Sequence, residues 1–435
     1  MKIATIGLWH LGTIYSVCLS AMGNEVIAIT DIPDYGDRLE KGETDLFEPG
    51  LVDLLKKNKK TKFLKFTPDK SIVKNCDIVW ITIDTSTNKN NLPNVSEILR
   101  EIKDIIFKLK QDSTIVVSSQ LPVGTCAKIE KILSKNKRKK IGFAYVPENL
   151  RLGQSIDNFF HQDRVVIGTN DDMVFKKIKS VLQKTSELFI KVNPQTAEMI
   201  KHATNSFLAT SLSFINDISD ICEKVGADVY EVSNALRIDK RIGPYAYLGA
   251  GLGFSGVTLE RDLSALMDEA KKQKIEISVI SAVQKKNELR KKYFFEKLDS
   301  HFKKIKDMKV GIWGITYKEG VSTLRGSLPI DLVRKILKLG ARVKIYGDIT
   351  NKEKIIKEFS SGNLQVLNDQ YKVLEDSNLL LLLSPITNKD INFSKMKKLM
   401  KSPFTVFDCY NSFYGYEKEF EKNGLLYVGV GRYNK

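Results

Sequence analysis

Sulfur is scarce in this chain of 435 residues, and what there is follows no ligand pattern. The five cysteines (Cys18, Cys76, Cys126, Cys222 and Cys409) are odd in number and scattered without a CxxC pair or zinc spacing. That argues against a disulfide framework or a zinc site, and no metal is expected. The thiols read as reduced and mostly buried residues of a cytoplasmic protein. No run approaches the roughly 18 apolar residues that cross a bilayer, so no membrane partner is expected. The opening MKIATIGLWHLG begins directly as a strand and has no signal-peptide cleavage pattern. Low-complexity tracts and short repeats are missing too. So is any interleaved aromatic and basic stripe or recognition-helix motif, and the formal net charge of +17 therefore does not read as nucleic-acid binding. The lysines spread along helical stretches (Lys56–Lys60, Lys135–Lys140, Lys285–Lys292). They suit a solvated surface, or attraction for a phosphorylated small substrate.

Present instead is strand–helix alternation in a chain long enough for two or three domains, with an ordinary 42% of hydrophobic residues. Short apolar runs at Lys2–Gly7, Glu25–Thr30, Asp77–Ile83, Ser113–Ser119, Phe143–Val146 and Val165–Gly168 read as buried strands. Ala197–Gly226 carries a helical pattern about 45 Å long at the standard rise per residue, closed by a glycine. A charged helix is expected over roughly Leu263–Phe295. Alternation returns at Lys309–Gly314, Ala341–Asp348, Asn378–Ser384 and Phe404–Cys409. The expected fold is α/β, with two Rossmann-like doubly wound parallel-sheet domains joined by a long central helix. The expected divisions are 1–195 for the first domain, 196–300 for a helical connector that also dimerises, and 301–435 for the last.

GLWHLG (Gly7–Gly12) stands between the first strand and the first helix, where a dinucleotide turn belongs. There Gly7 would make the tight turn and Gly12 would allow helix–sheet packing, but the middle glycine that admits a pyrophosphate is Trp9. Two glycines so placed also fit mere packing. Asp31, about twenty residues on, is the candidate for the adenine ribose diol. In the long helix, Lys201 and Asn205 share one face. A cation beside an amide can stabilise a developing oxyanion, although the spacing also suits a solvated face. Downstream, GFSGVTLERD (Gly253–Asp262) is a glycine-flanked loop ending in Arg-Asp, suited to close approach of backbone to ligand. Thr258 within it is a poor nucleophile without an adjacent base.

Several segments, taken in order, carry a resemblance: FEPGL (Phe47–Leu51), SSQLPVGT (Ser118–Thr125), VPENLRLG (Val146–Gly153), the long helix, RIGPYAYLGAGLGFSGVTLERD (Arg241–Asp262) and GIWGITYKEGVSTLRGS (Gly311–Ser327). Nearly end to end, the chain resembles the UDP-glucose/GDP-mannose dehydrogenase family. The resemblance implies an N-terminal NAD domain, a dimerising helix and a C-terminal nucleotide-sugar domain. Such proteins oxidise the carbon-6 alcohol of a nucleotide sugar to an acid in two NAD-dependent steps. By matching position, Lys201 and Asn205 would flank the reacting oxygen, Asp262 would orient a water or the lysine, and Glu148 would serve proton transfer with a water. Arg241 would reach the sugar of the partner subunit in a homodimer. Arg151, Tyr247, Gly253, Gly256 and Lys318 would line the substrate, and Arg261, Arg325 and Thr85 would face the cofactor.

Departures from the family pattern cluster at the same places. Its catalytic cysteine falls at Thr258, its serine–threonine pair becomes Ser119–Gln120, and the prolines flanking Thr85 are gone, leaving IDTS. The acidic residue closing the second strand is displaced from Thr30 to Asp31. Oxidation of an alcohol to an aldehyde needs a base, an oxyanion stabiliser and a hydride acceptor, none of which is the cysteine. Oxidation of the aldehyde needs a tetrahedral adduct, which a thiol forms readily and a threonine hydroxyl does not. The expectation is an NAD-dependent dehydrogenase of a nucleotide sugar, a UDP-sugar being the commoner family substrate. It would stop at the aldehyde, or reach the acid through a hydrate positioned by Glu148, Gln120 or Asp262. The alternatives are an epimerase that retains its NAD and a non-catalytic nucleotide-sugar-binding protein whose dinucleotide site Trp9 blocks.

Overall fold

The strands described in the first half of the chain are β1 (Lys2–Ile6), β2 (Glu25–Ile29), β3 (Leu64–Thr67), β4 (Ile78–Ile81), a short antiparallel pair β5 (Ser86–Thr87) and β6 (Pro93–Asn94), β7 (Thr114–Val117), β8 (Gly142–Tyr145), β9 (Val165–Gly168) and β10 (Phe189–Val192). The computed structural model describes residues 1–435 apart from 45, 89–90, 137–138, 303–304, 317–325, 347–351, 360, 389 and 433–435. Its Cα framework divides into two units, Met1–Thr204 with Ser264–Ile275, and Asn205–Leu263 with Glu276–Lys435.

In the first unit the sheet order is β10-β9-β8-β7-β4-β1-β2-β3. Every pairing is parallel except β8 with β9, which meet antiparallel through Tyr145 and Gly168. Side chains alternate across a strand, so each strand feeds two cores. Ile3, Ile78, Trp80, Val116 and Ala144 enter one, and Ala4, Ile6, Val79, Ile81 and Val117 the other. Burial on both faces is why these strands read as unbroken apolar runs. Trp80 is wholly buried, and its indole N–H is satisfied by Ser118 Oγ at 2.9 Å. The strand order reverses beside β1, whose neighbours are β2 and β4. Ligands of such sheets sit at that switch point, outside the carboxyl ends of the strands.

The helix Pro194–Val225 closes at Gly226, in the left-handed conformation at φ 79°. The stretch expected as one charged helix is in fact two, Val257–Lys272 and Ser278–His301. The first is terminated where Ile275 N donates to the Ala270 carbonyl at 2.8 Å and Lys274 turns left-handed. A second, wholly parallel sheet follows, of β11 (Lys309–Trp313), β12 (Arg342–Tyr346), β13 (Leu364–Leu367), β14 (Leu379–Leu382), β15 (Thr405–Asp408) and β16 (Leu426–Val428), ordered β13-β12-β11-β14-β15-β16. Both sheets are thus of the doubly wound type. Among the described residues no helix is long and apolar enough to cross a membrane.

Candidate active site

Gly7 leaves β1 at φ 99°, where a Cβ would lie 2.5 Å from Ile83 N. A Cβ on Gly12 would lie 2.2 Å from the Gly7 carbonyl oxygen. The two glycines therefore let helix His10–Ala21 start tight against the sheet. The first N–H groups of that helix have no carbonyl four residues back within it, which makes an anion site. Trp9, at φ −124°, needs no glycine, and its side chain stays 51% exposed rather than filling the turn. A cavity of about 190 Å³ opens beyond β2 and β3, lined by Asp31, Asp34, Asp37 and Phe66 among others. Its carboxylates suit a ribose diol and repel a 2′-phosphate. Asp31 is itself exposed, with Lys70 Nζ 3.9 Å away. The residues present therefore fit a dinucleotide.

Behind the turn lies a buried cluster that joins residues of GLWHLG, FEPGL and the end of VPENLRLG, a link the sequence does not announce. His10 Nε2 is 2.7 Å from Glu48 Oε1, and Glu48 also accepts from Gly153 N at 2.8 Å, Ser155 N at 2.9 Å and Ser155 Oγ at 2.8 Å. Burial works to raise the Glu48 carboxyl, but the bonds from His10, Ser155 and Gly153 outweigh it and hold it below its ordinary value.

Within the first unit, Lys201 and Glu148 come together. Lys201 is only 6% exposed, so it is no solvated-face residue. Its ammonium donates to the Glu148 carbonyl, lies 3.4 Å from Asn149 Oδ1 and 3.7 Å from Glu148 Oε1. A buried ammonium without a counter-charge would cost several kcal/mol, and Glu148 supplies one. Thr85 is buried and donates to the Gln120 carbonyl at 2.7 Å. Glu198 and His202 hold the neighbouring loop. Glu198 accepts from Gly124 N at 2.7 Å and Cys126 N at 2.6 Å, and His202 Nε2 meets the Leu121 carbonyl at 2.9 Å.

Within the second unit, Asn205 is 6% exposed and Asp262 is 0% exposed, and the Asn205 amide donates to Asp262. Arg261 Nε lies 3.9 Å from Asp262 Oδ1 and is buried without a hydrogen-bond partner among the described residues. An unmet donor of that kind costs about 1–3 kcal/mol, and an anionic or carbonyl ligand atom would relieve it. The loop carrying Gly253 and Gly256 is clamped from behind. Asn216 accepts from Gly251 N at 3.0 Å, Arg290 donates twice to the Gly251 carbonyl, and Asn287 exchanges two bonds with the Phe254 backbone at 2.9 and 3.0 Å. Gly253 sits at φ 98°, where a Cβ would meet Asn287 Oδ1. Gly256 N donates to the Gly326 carbonyl at 2.7 Å. Asn216, Asn287 and Arg290 escaped the motif reading because they act on backbone.

Thr258 is exposed in the first turn of helix Val257–Lys272. All five cysteines are buried and unpaired. Burial pushes the Cys76 thiol up to about 11 and those of Cys18, Cys126 and Cys409 well above their ordinary value. Arg151 and Arg241 are exposed, and Arg241 is forked onto Asp239 at 2.6 and 3.0 Å. Tyr247 is also exposed. Lys318 and Arg325 lie outside the described residues. Among those residues no group of three or more His, Cys, Asp or Glu is placed to hold a metal ion.

Three family models match the chain in succession. The NAD binding domain of the UDP-glucose/GDP-mannose dehydrogenase family covers residues 1–186, its central domain 195–289 and its UDP binding domain 311–414. A UDP-glucose 6-dehydrogenase of Bacillus subtilis, TuaD, is 33% identical over 436 residues, spanning 99% of this chain and 93% of that protein. A UDP-glucose 6-dehydrogenase of Pseudomonas aeruginosa is 27% identical, spanning 99% of this chain and 98% of that one. Among solved structures, a UDP-glucose dehydrogenase from the archaeon Pyrobaculum islandicum superposes with a TM-score of 0.87 at 24% identity, over 99% of this chain and 98% of its own. At that identity the likeness speaks for the fold alone. With every family domain matched in order along the sequence, the chain belongs to the UDP-glucose/GDP-mannose dehydrogenase family, NAD-dependent oxidoreductases that act on the CH–OH group of a nucleotide sugar.

Proposed function

We propose that this protein oxidises the carbon-6 alcohol of a UDP-sugar and releases the aldehyde. Lys201 and Asn205, one turn apart on a continuous helix, flank the oxygen of the reacting carbon. The ammonium and the amide N–H stabilise the oxygen as its proton leaves. Glu148, whose Oε2 already accepts from Leu150 N at 2.7 Å, takes up that proton through its other oxygen, beside Lys201. Asp262 holds the Asn205 amide in one orientation. Bound NAD supplies the hydride acceptor. Arg261 brings its unmet N–H to that cofactor, Gly7 and Gly12 the tight turn that admits it, and Asp31 its carboxylate. Arg151, Tyr247 and Gly253 contact the sugar nucleotide. Two chains pair through the stripe of exposed Phe207, Phe214 and Ile221 on the long helix, seven residues apart.

The observation that carries the aldehyde endpoint is the state of the cysteines. By matching position in the resemblance the family's nucleophile would fall at Thr258, and every thiol in the chain is buried. A hydroxyl with no base assigned to it does not form the tetrahedral adduct from which a second hydride could leave. The test is to supply UDP-sugars with NAD, count NADH per sugar and identify the product. One NADH per sugar and an aldehyde are expected for the natural chain, and two NADH with acid for Thr258→Cys. Two NADH per sugar at undiminished speed from the natural chain would overturn the endpoint.

A further inference from the structure

Glu48 joins three stretches of chain that lie far apart in sequence. His10 is the first residue of the helix at the nucleotide turn and precedes Ser155 by 145 residues. Gly153 and Ser155 end the stretch that carries Glu148 and Arg151. One carboxylate receives both, through His10 Nε2 at 2.7 Å on one side and Gly153 N, Ser155 N and Ser155 Oγ at 2.8 to 2.9 Å on the other. Ser155 Oγ also lies 3.2 Å from His10 Nε2 and 3.0 Å from the Arg151 carbonyl, the alternative acceptor for its single proton. Glu48 and Ser155 are buried, so water does not compete for these bonds. Hydrogen bonds to a charged group are the strong ones. Neither stretch can shift without breaking bonds to the other.

We infer that Glu48 is a positioning residue that links the dinucleotide turn to residues 148–155, so that a dinucleotide seated at Gly7–Gly12 also orders the stretch presented to the sugar. What that stretch does to the sugar rests on the proposed function, whereas the link itself does not. It acts through His10 and Ser155, both in the same unit as Glu48.

The test uses the full chain, with hydrogen exchange read by mass spectrometry and NAD affinity by calorimetry, for His10→Phe, Glu48→Gln and Ser155→Ala. Amide exchange in peptides covering 149–155 is expected to quicken about tenfold in His10→Phe and Glu48→Gln, with NAD binding weakened by about the same factor. NAD alone should slow exchange over 149–155 in the natural chain and not in those variants. The double variant should be no worse than either single one, because the residues share one network. Ser155→Ala keeps both backbone bonds and should fall between, which preserves the test if Glu48→Gln does not fold. Exchange over 149–155 that is unchanged in His10→Phe and indifferent to NAD would overturn the link. Failure of the natural chain to oxidise any nucleotide sugar, with the exchange pattern as expected, would instead count against the proposed function.

Discussion

Two buried carboxyls in the first unit are shifted in opposite senses, and the difference is one of donors. Glu48 has a histidine, a hydroxyl and two backbone N–H groups, and stays below its ordinary value. Glu198 is raised above its ordinary 4.5, because burial outweighs the bonds from Cys126 and Gly124. An acid whose folded pKa is raised contributes stability that is whole below its unfolded value and is lost as pH rises through the folded one. Glu198→Gln removes that titration. The urea midpoint of the variant relative to the natural chain should therefore move in the variant's favour between pH 4.5 and pH 7.5, and a move the other way would contradict the raised carboxyl. At this scale the sequence could pair Lys201 with Asn205 by their one-turn spacing but not tell a solvated face from the buried one that both occupy. It could not show Glu48, whose partners stand 38 and 107 residues away and need the fold to bring them in.

At the scale of elements, the central strands were legible and the edge strands were not. β4, β7 and β9 are buried throughout and read as apolar runs, whereas β3 (LKFT), β10 (FIKV) and β13 (LQVL) alternate with exposed residues and sit at or near sheet edges. Half-exposed strands this short have no periodicity to find. The break at Lys274 was hidden for another reason, since a lysine in the left-handed conformation leaves no glycine as a signal. The glycine turn after β1 is where element geometry is least forgiving. Gly12→Ala would place a methyl against the Gly7 carbonyl and Thr82 Oγ1, costing at least about 2 kcal/mol by overpacking. Thermal unfolding should show the loss, and a variant as stable as the natural chain would mean that the turn yields.

At the scale of the whole molecule, pairing of two chains is expected to need the apolar stripe of the long helix. Phe214→Asp puts a charge in the middle of that stripe, and sedimentation velocity should show a dimer for the natural chain and a monomer for the variant. A variant that sediments as the natural chain does would place the contact elsewhere. The surplus of positive charge, +17 overall, accords with a doubly phosphorylated substrate. Tryptophan is distributed unevenly across the fold. Of three, Trp80 and Trp313 are buried, while Trp9 stands half in water at the turn proposed to seat the dinucleotide. The protein thus carries its own optical gauge, in which indole light passes to an arriving dihydronicotinamide and occupancy of the turn can be followed without any added dye.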